Sequence, residues 1–131
     1  MINQVLLVGR LVADPVIREV GNGKNVCEVK LALQRPFKSQ TTHTYETDFI
    51  KVTFWEYLAI NVNEYSIKGS VLGVIARLQN RIINVNDKPI EIIDVVGEQL
   101  VFISKPHNKS MPKIDEEVED IPFEELEKEQ E

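Results

Sequence analysis

The segment Phe49-Ile50-Lys51-Val52-Thr53-Phe54-Trp55 sets an aromatic ring, a cation, a hydroxyl and a second aromatic ring at alternate positions. As a strand it places Phe49, Lys51, Thr53 and Trp55 on one side and Ile50, Val52 and Phe54 on the other. The apolar side accounts for a core, and the mixed side needs another explanation. Two rings facing water with a lysine between them can stack on unpaired bases while the ammonium meets a phosphate, at roughly 1 to 3 kcal/mol per stacked base. The same rings can instead be packed in a core or covered by another subunit, and alternation alone leaves these explanations open. Arg77 and Arg81, with Arg35 and Phe37 at the mouth of a polar segment, carry residue types that would extend such a surface.

Residues for catalysis are scattered. His43 lies in a Thr-rich segment and His107 far downstream, so no pair of histidines is spaced to hold a metal or to activate a nucleophile. Cys27 alternates with core residues and reads as a small buried hydrophobe. As the only cysteine it cannot form an intramolecular disulfide, which suits a reducing compartment. Gly21-Asn22-Gly23 is too short for a phosphate-binding glycine loop and no helical pattern follows it. Glu28, Glu46 and Asp48 read as solvated carboxylates. The expectation is a protein that is not an enzyme and uses no metal or cofactor.

The elements that must position the mixed strand follow from hydrophobic period. Val5 to Val12 is apolar on both faces, as in a closed barrel or a subunit contact. After the Gly21-Asn22-Gly23 turn, Cys27, Val29, Leu31 and Leu33 alternate with Glu28, Lys30, Ala32 and Gln34. A polar loop is expected from Arg35 to Thr47, then the mixed strand to Trp55. From Glu56 the period becomes helical, with Leu58, Val62 and Tyr65 on one stripe, Glu64 placed for Lys68 and Gly69 as terminator. Ser70 to Asn84 returns to strand, with Leu72, Val74, Ala76 and Leu78 on one face and Arg77, Gln79 and Arg81 on the other. Asn86-Asp87 turns into a strand from Pro89 to Val96, and Leu100 to Ile103 is a last short one. Five main strands with one short helix between the third and fourth predict an all-β chain closed as a five-stranded OB barrel.

Charge divides the chain. Residues 1–104 hold 11 lysines and arginines against 11 aspartates and glutamates, whereas residues 105–131 hold 4 against 10, so the tail carries all of the −6. An acidic stretch with one aromatic residue cannot bury enough apolar surface to fold alone. The expected organisation is therefore a folded domain over 1–104 and a disordered acidic tail over 105–131. With 131 residues a large multidomain enzyme is excluded. The first residues have no basic n-region and the apolar run breaks at Arg10, so neither a secretory signal nor a membrane span is expected, and the cytoplasm is the expected location.

The run Asn3 to Leu11, Asp14-Pro15 with Val16-Ile17-Arg18, Asp48-Phe49-Ile50, Trp55, Glu64 to Ser70, and Ala76-Arg77-Leu78-Gln79-Asn80-Arg81 together resemble the bacterial single-stranded DNA-binding protein family over residues 1–103. The resemblance implies an OB-fold protomer, usually a homotetramer, that wraps single-stranded DNA without sequence preference in replication, recombination and repair, near the nucleoid. It implies stacking by Phe37, Phe49 and Trp55 and phosphate contacts by residues such as Lys51, Lys68 and Arg81, and Arg10, Arg35 and Arg77 are expected among the nucleic-acid-binding residues with them. One departure is Ile82-Ile83, where many members carry a further aromatic. Another is the tail, whose Glu119-Asp120-Ile121-Pro122-Phe123 matches the family's motif for docking replication and repair proteins, but here stands internally, ahead of Glu124 to Glu131. The competing expectation is an OB-type adaptor or assembly protein, its aromatics forming a subunit interface and its acidic tail the only active part.

Overall fold

The structure, a computed structural model, describes residues 1–106. The tail motif from Glu119 to Phe123 and the course of the chain after residue 106 lie outside the described residues. Six strands and one helix follow in the order β1 (Val5–Leu11), β2 (Ile17–Val20), β3 (Lys24–Lys38), β4 (Tyr45–Trp55), α1 (Tyr57–Tyr65), β5 (Val71–Val85) and β6 (Lys88–Ser104). The sheet runs β1-β5-β6-β4-β3-β2, and β1 also pairs with β3. That extra pairing closes five strands, β1, β5, β6, β4 and β3, into a ring, and leaves β2 as a flap on β3. All pairings are antiparallel except β4 with β6, which meet in parallel at Thr53 and Val96.

Closure depends on two close approaches. At Gly9, where β1 passes from β5 to β3, a Cβ would stand 2.9 Å from the Ala32 carbonyl oxygen and 3.1 Å from the Leu31 Cβ, so a side chain there would push the two strands apart. Gly97 meets the ring of Phe54, which lies fully buried against its backbone. The inner face is the expected one over most of its length: Cys27, Val29 and Leu31 of β3, Val52 and Phe54 of β4, and Leu72, Val74 and Ala76 of β5 form one cluster. Burial pushes the Cys27 thiol pKa up, which keeps it protonated and inert.

Several expectations are corrected. The segment Arg35 to Thr47 is no long loop: β3 runs on to Lys38 and β4 starts at Tyr45, leaving a loop of 39–44 closed by the Ser39 amide donating to the Thr44 carbonyl at 2.8 Å. Polar side chains do not prevent pairing, because an antiparallel ribbon is held by backbone hydrogen bonds whatever its faces carry. The last two predicted strands are one, with a bulge where Ile75 pairs Gln99 and Ala76 pairs Gly97, and that break mimics a strand end in the sequence. Ahead of Val96, from Lys88 to Val95, β6 pairs only with β5, and this ribbon leaves β4. Leu78, expected in the core, is accordingly 44% exposed. The ribbon ends at Asn86 and Asp87, both at positive φ (54° and 64°), as a two-residue hairpin turn requires.

The helix also differs from its expected stripe. Ala59 and Val62 are buried and Leu58 half-buried, whereas Tyr65 faces outward and meets Phe102 edge-on at 5.9 Å. The helix stops at Tyr65, so Glu64 and Lys68 are not on a common turn; the Lys68 amide donates to Asp14 instead, at 2.7 Å. Gly69, at φ +91°, makes the following turn and donates to the Leu11 carbonyl at 2.9 Å.

Candidate nucleic-acid interface

Residues directly opposite on paired strands point to the same side of a sheet, so register shows which side chains meet. On β3 and β4 the outward pairs are Val26 with Trp55, Glu28 with Thr53, Lys30 with Lys51, and Ala32 with Phe49. Phe49 is 58% exposed and Trp55 39% exposed, on the outward side of one strand. Between them Lys51 is exposed and Thr53 is not. Thr53 lies where β6 closes on β4, in the row Glu28, Thr53, Val96, Arg77, and its hydroxyl is covered there. Trp55 shares its row with buried Val26, which is why its ring is less open than that of Phe49.

The row at the other end joins Phe49, Ala32 and Arg10, since Arg10 pairs with Ala32 across β1 and β3. The Arg10 head turns away to donate to the Gly69 carbonyl at 2.9 Å, next to Lys68 in the turn after α1. Arg10 and Lys68 thus mark one edge of the face. Arg77 and Arg81 lie on the outward side of β5 and mark the other edge. Arg77 pairs with Glu98 at 3.1 Å, and Arg81 donates its Nε to Asp94 at 2.6 Å. The hydrogen bond to Asp94 raises the Arg81 pKa further, so its charge is fixed at any ordinary pH.

Arg35 is elsewhere. Asp48 alternates with Phe49 and so belongs to the opposite side of the ribbon, and Arg35 is bound there, to Asp48 at 2.8 Å and to Glu46 at 2.9 Å. That hydrogen bond holds the Asp48 carboxyl below its ordinary range and pushes the Arg35 pKa up. Phe37 is exposed, but it falls where β3 advances four residues, Gln34 to Lys38, while β4 advances two, Thr47 to Tyr45. Pro36, which has no amide proton to give to the ladder, sits inside this irregularity. Alternation therefore does not carry Phe37 onto the side of Phe49 and Trp55. Lys30, directly opposite Lys51, was missed as a site residue although its outward place was legible from its alternation with Val29 and Leu31. Glu28 was read as a surface carboxylate only, yet it lies 3.6 Å from Arg18 and 4.0 Å from Lys51 and is the shared counter-ion of the face. Among the described residues no group of three histidines, cysteines or carboxylates is placed to hold a metal ion, and no helix is long and apolar enough to cross a membrane.

A second outward surface lies on β1, β5 and β6. Register brings Leu6 beside Ile75, and Val8 and Val101 on either side of Gly73. Leu6 and Val8 are 68% and 63% exposed, and Ile103 reaches over Gly73 from β6. This face carries almost no charge.

A ring of five strands in the order β1-β5-β6-β4-β3, plugged by a helix between β4 and β5, is an OB-fold. The solved structure described as "Plasmodium falciparum SSB complex with ssDNA" has the same fold, with a TM-score of 0.68 at 22% identity, covering 79% of this chain and 96% of that one. The model of the single-strand binding protein family matches residues 2–103, and the chain belongs to that family. Similar relatives include a single-stranded DNA-binding protein of Oceanobacillus iheyensis, 38% identical over 79% of this chain and 64% of the relative. Another is single-stranded DNA-binding protein 2 of Staphylococcus aureus, 38% identical over 82% of this chain and 78% of the relative. The match thus spans just under two-thirds of the length of the first of these relatives.

Proposed function

We propose that the protein binds single-stranded DNA, without preference for base sequence, on the outward face of β3 and β4. The observation that carries this reading is the pair of open rings, Phe49 and Trp55, on the same side of one strand with Lys51 between them. Every base has a π-face, so a stacking platform of this kind tolerates any sequence, and lysines following the backbone add affinity without reading it. The names of the relatives, and the nucleic acid in the Plasmodium falciparum complex, agree with it. Self-association, as a homotetramer, would use the apolar face of Leu6, Val8, Val101 and Ile103. With that face available to a second subunit, the aromatics are not needed as an interface, and the adaptor reading loses its main argument. Service in replication, recombination and repair in the cytoplasm, with Glu119 to Phe123 recruiting partner proteins, completes the proposal.

Trp55 is the only tryptophan, so the test is direct. Titration with oligo(dT) is expected to quench its emission to saturation, while light scattering follows the mass of the complex. Undiminished emission with no change of mass would refute the proposal.

A further inference from the structure

All five arginines of the chain are already engaged within it. Arg10 donates to a carbonyl, and Arg18, Arg35, Arg77 and Arg81 lie 3.6, 2.8, 3.1 and 2.6 Å from carboxylates. The lysines of the aromatic face are in a different condition. Lys30 and Lys51 are directly opposite each other on β3 and β4, both exposed. The only carboxylate near either, among the described residues, is Glu28, at 4.0 Å from Lys51 and shared with Arg18. Like charges directly opposite across strands destabilise a sheet, and an anion between them removes that cost. The salt dependence of binding comes from cations that leave the nucleic acid where a phosphate is neutralised, and an arginine whose charge is already met by its own carboxylate neutralises a phosphate less.

Resting on the proposed function, we propose that phosphate binding on this face falls to the opposed pair Lys30 and Lys51. Arg77 and Arg81 are then positioning residues: their pairs with Glu98 and Asp94 join β5 to β6 and hold the projecting ribbon at the edge of the face. A phosphate seated between the two ammonium groups lies in the row next to the Phe49 ring, so one nucleotide can place its backbone on the lysines while its base stacks.

The experiment measures oligo(dT) affinity of the full chain between about 50 and 200 mM salt, where log affinity falls by about 0.7 per phosphate contact for each unit of log salt. Lys30→Gln and Lys51→Gln are each expected to lower the slope by about 0.7. The double variant Arg81→Gln with Asp94→Asn, which leaves net charge unaltered, is expected to retain the parent slope. A slope does not respond to a constant loss of active protein, so partial unfolding cannot imitate the effect. The proposal is overturned if Lys30→Gln keeps the parent slope, or if the Arg81 and Asp94 double variant loses as much as Lys30→Gln. A parent chain that fails to bind oligo(dT) at all refutes the function itself, whereas salt-dependent binding by the parent with an indifferent Lys30 refutes only this assignment.

Discussion

On β3 and β4 the outward residues are Trp55, Lys51, Phe49, Lys30 and Glu28, whereas on β1, β5 and β6 they are Leu6, Val8, Val101 and Ile103. Both faces belong to the same closed ring and both leave large apolar side chains in water. The first intersperses its rings with charge, so covering it with protein would strand ammonium groups away from water. A strand of nucleic acid offers those groups phosphates. The second has little that needs a counter-ion and can be covered by a like surface with little penalty. Exposed apolar area alone does not distinguish a ligand face from a subunit face; the charges set between the apolar groups do.

The largest test of this comparison charges the apolar face. Leu6→Glu with Val8→Glu is expected to abolish self-association, because two unpaired carboxylates would have to be buried, and light scattering should report the mass of a single chain. The isolated chain should still quench Trp55 with oligo(dT), more weakly. An assembly of unchanged mass would mean that the subunit contact lies elsewhere. Next in size is the core that both faces share. Phe54→Ala is expected to lower stability by about 3 to 5 kcal/mol, measured by urea unfolding, since its ring fills the space against Gly97 and no outward group can take its place.

Mutation of the charged face should act on binding more than on folding. Phe49→Ala and Trp55→Ala are each expected to weaken oligo(dT) binding by about 1 to 3 kcal/mol, with Phe49 altering melting less than Trp55. Phe49 stands over Ala32, whereas Trp55 covers Val26, so loss of the indole ring exposes a core residue. If either variant loses its assembly while binding per folded chain is retained, the two faces have been assigned the wrong way round.

How far these faces were legible in the sequence depended on burial. Strict alternation marked Val29, Leu31, Val52, Leu72 and Val74 as core because one side of each strand meets the barrel interior. It failed at Leu78, where a two-stranded ribbon projects and period no longer tells inside from outside, and it did not reach Arg35 and Phe37, which were expected in a polar loop and stand on another such ribbon. It also missed the union of the last two strands, since the bulge at Glu98 interrupts the pattern without ending the pairing. Phe49, Lys51 and Trp55 were readable as one row because they stand on a single strand. The opposition of Lys30 to Lys51, and the carboxylates beside Arg18, Arg35, Arg77 and Arg81, depend on the register between paired strands, which composition and spacing do not contain.

The smallest expected effect concerns the far side of the β3–β4 ribbon, and it separates shape from binding. Arg35 holds the Asp48 pKa below its ordinary value, so the folded state keeps that carboxylate ionised where an unfolded chain would protonate it. The pair therefore contributes stability above the ordinary carboxylate pKa and loses it as pH falls through the depressed one. Melting curves of the parent and of Asp48→Asn should differ slightly near neutral pH and converge in acid. Both groups are well exposed, so solvent screens the pair and the difference should be small. Arg35→Gln should do more harm than Asp48→Asn, because it leaves Glu46 and Asp48 as like charges one strand-step apart on the same side. Neither variant should alter the salt slope for oligo(dT), since Asp48 points away from Phe49; a slope reduced by Arg35→Gln would place this side of the ribbon in the path of the nucleic acid and extend the binding face around its edge.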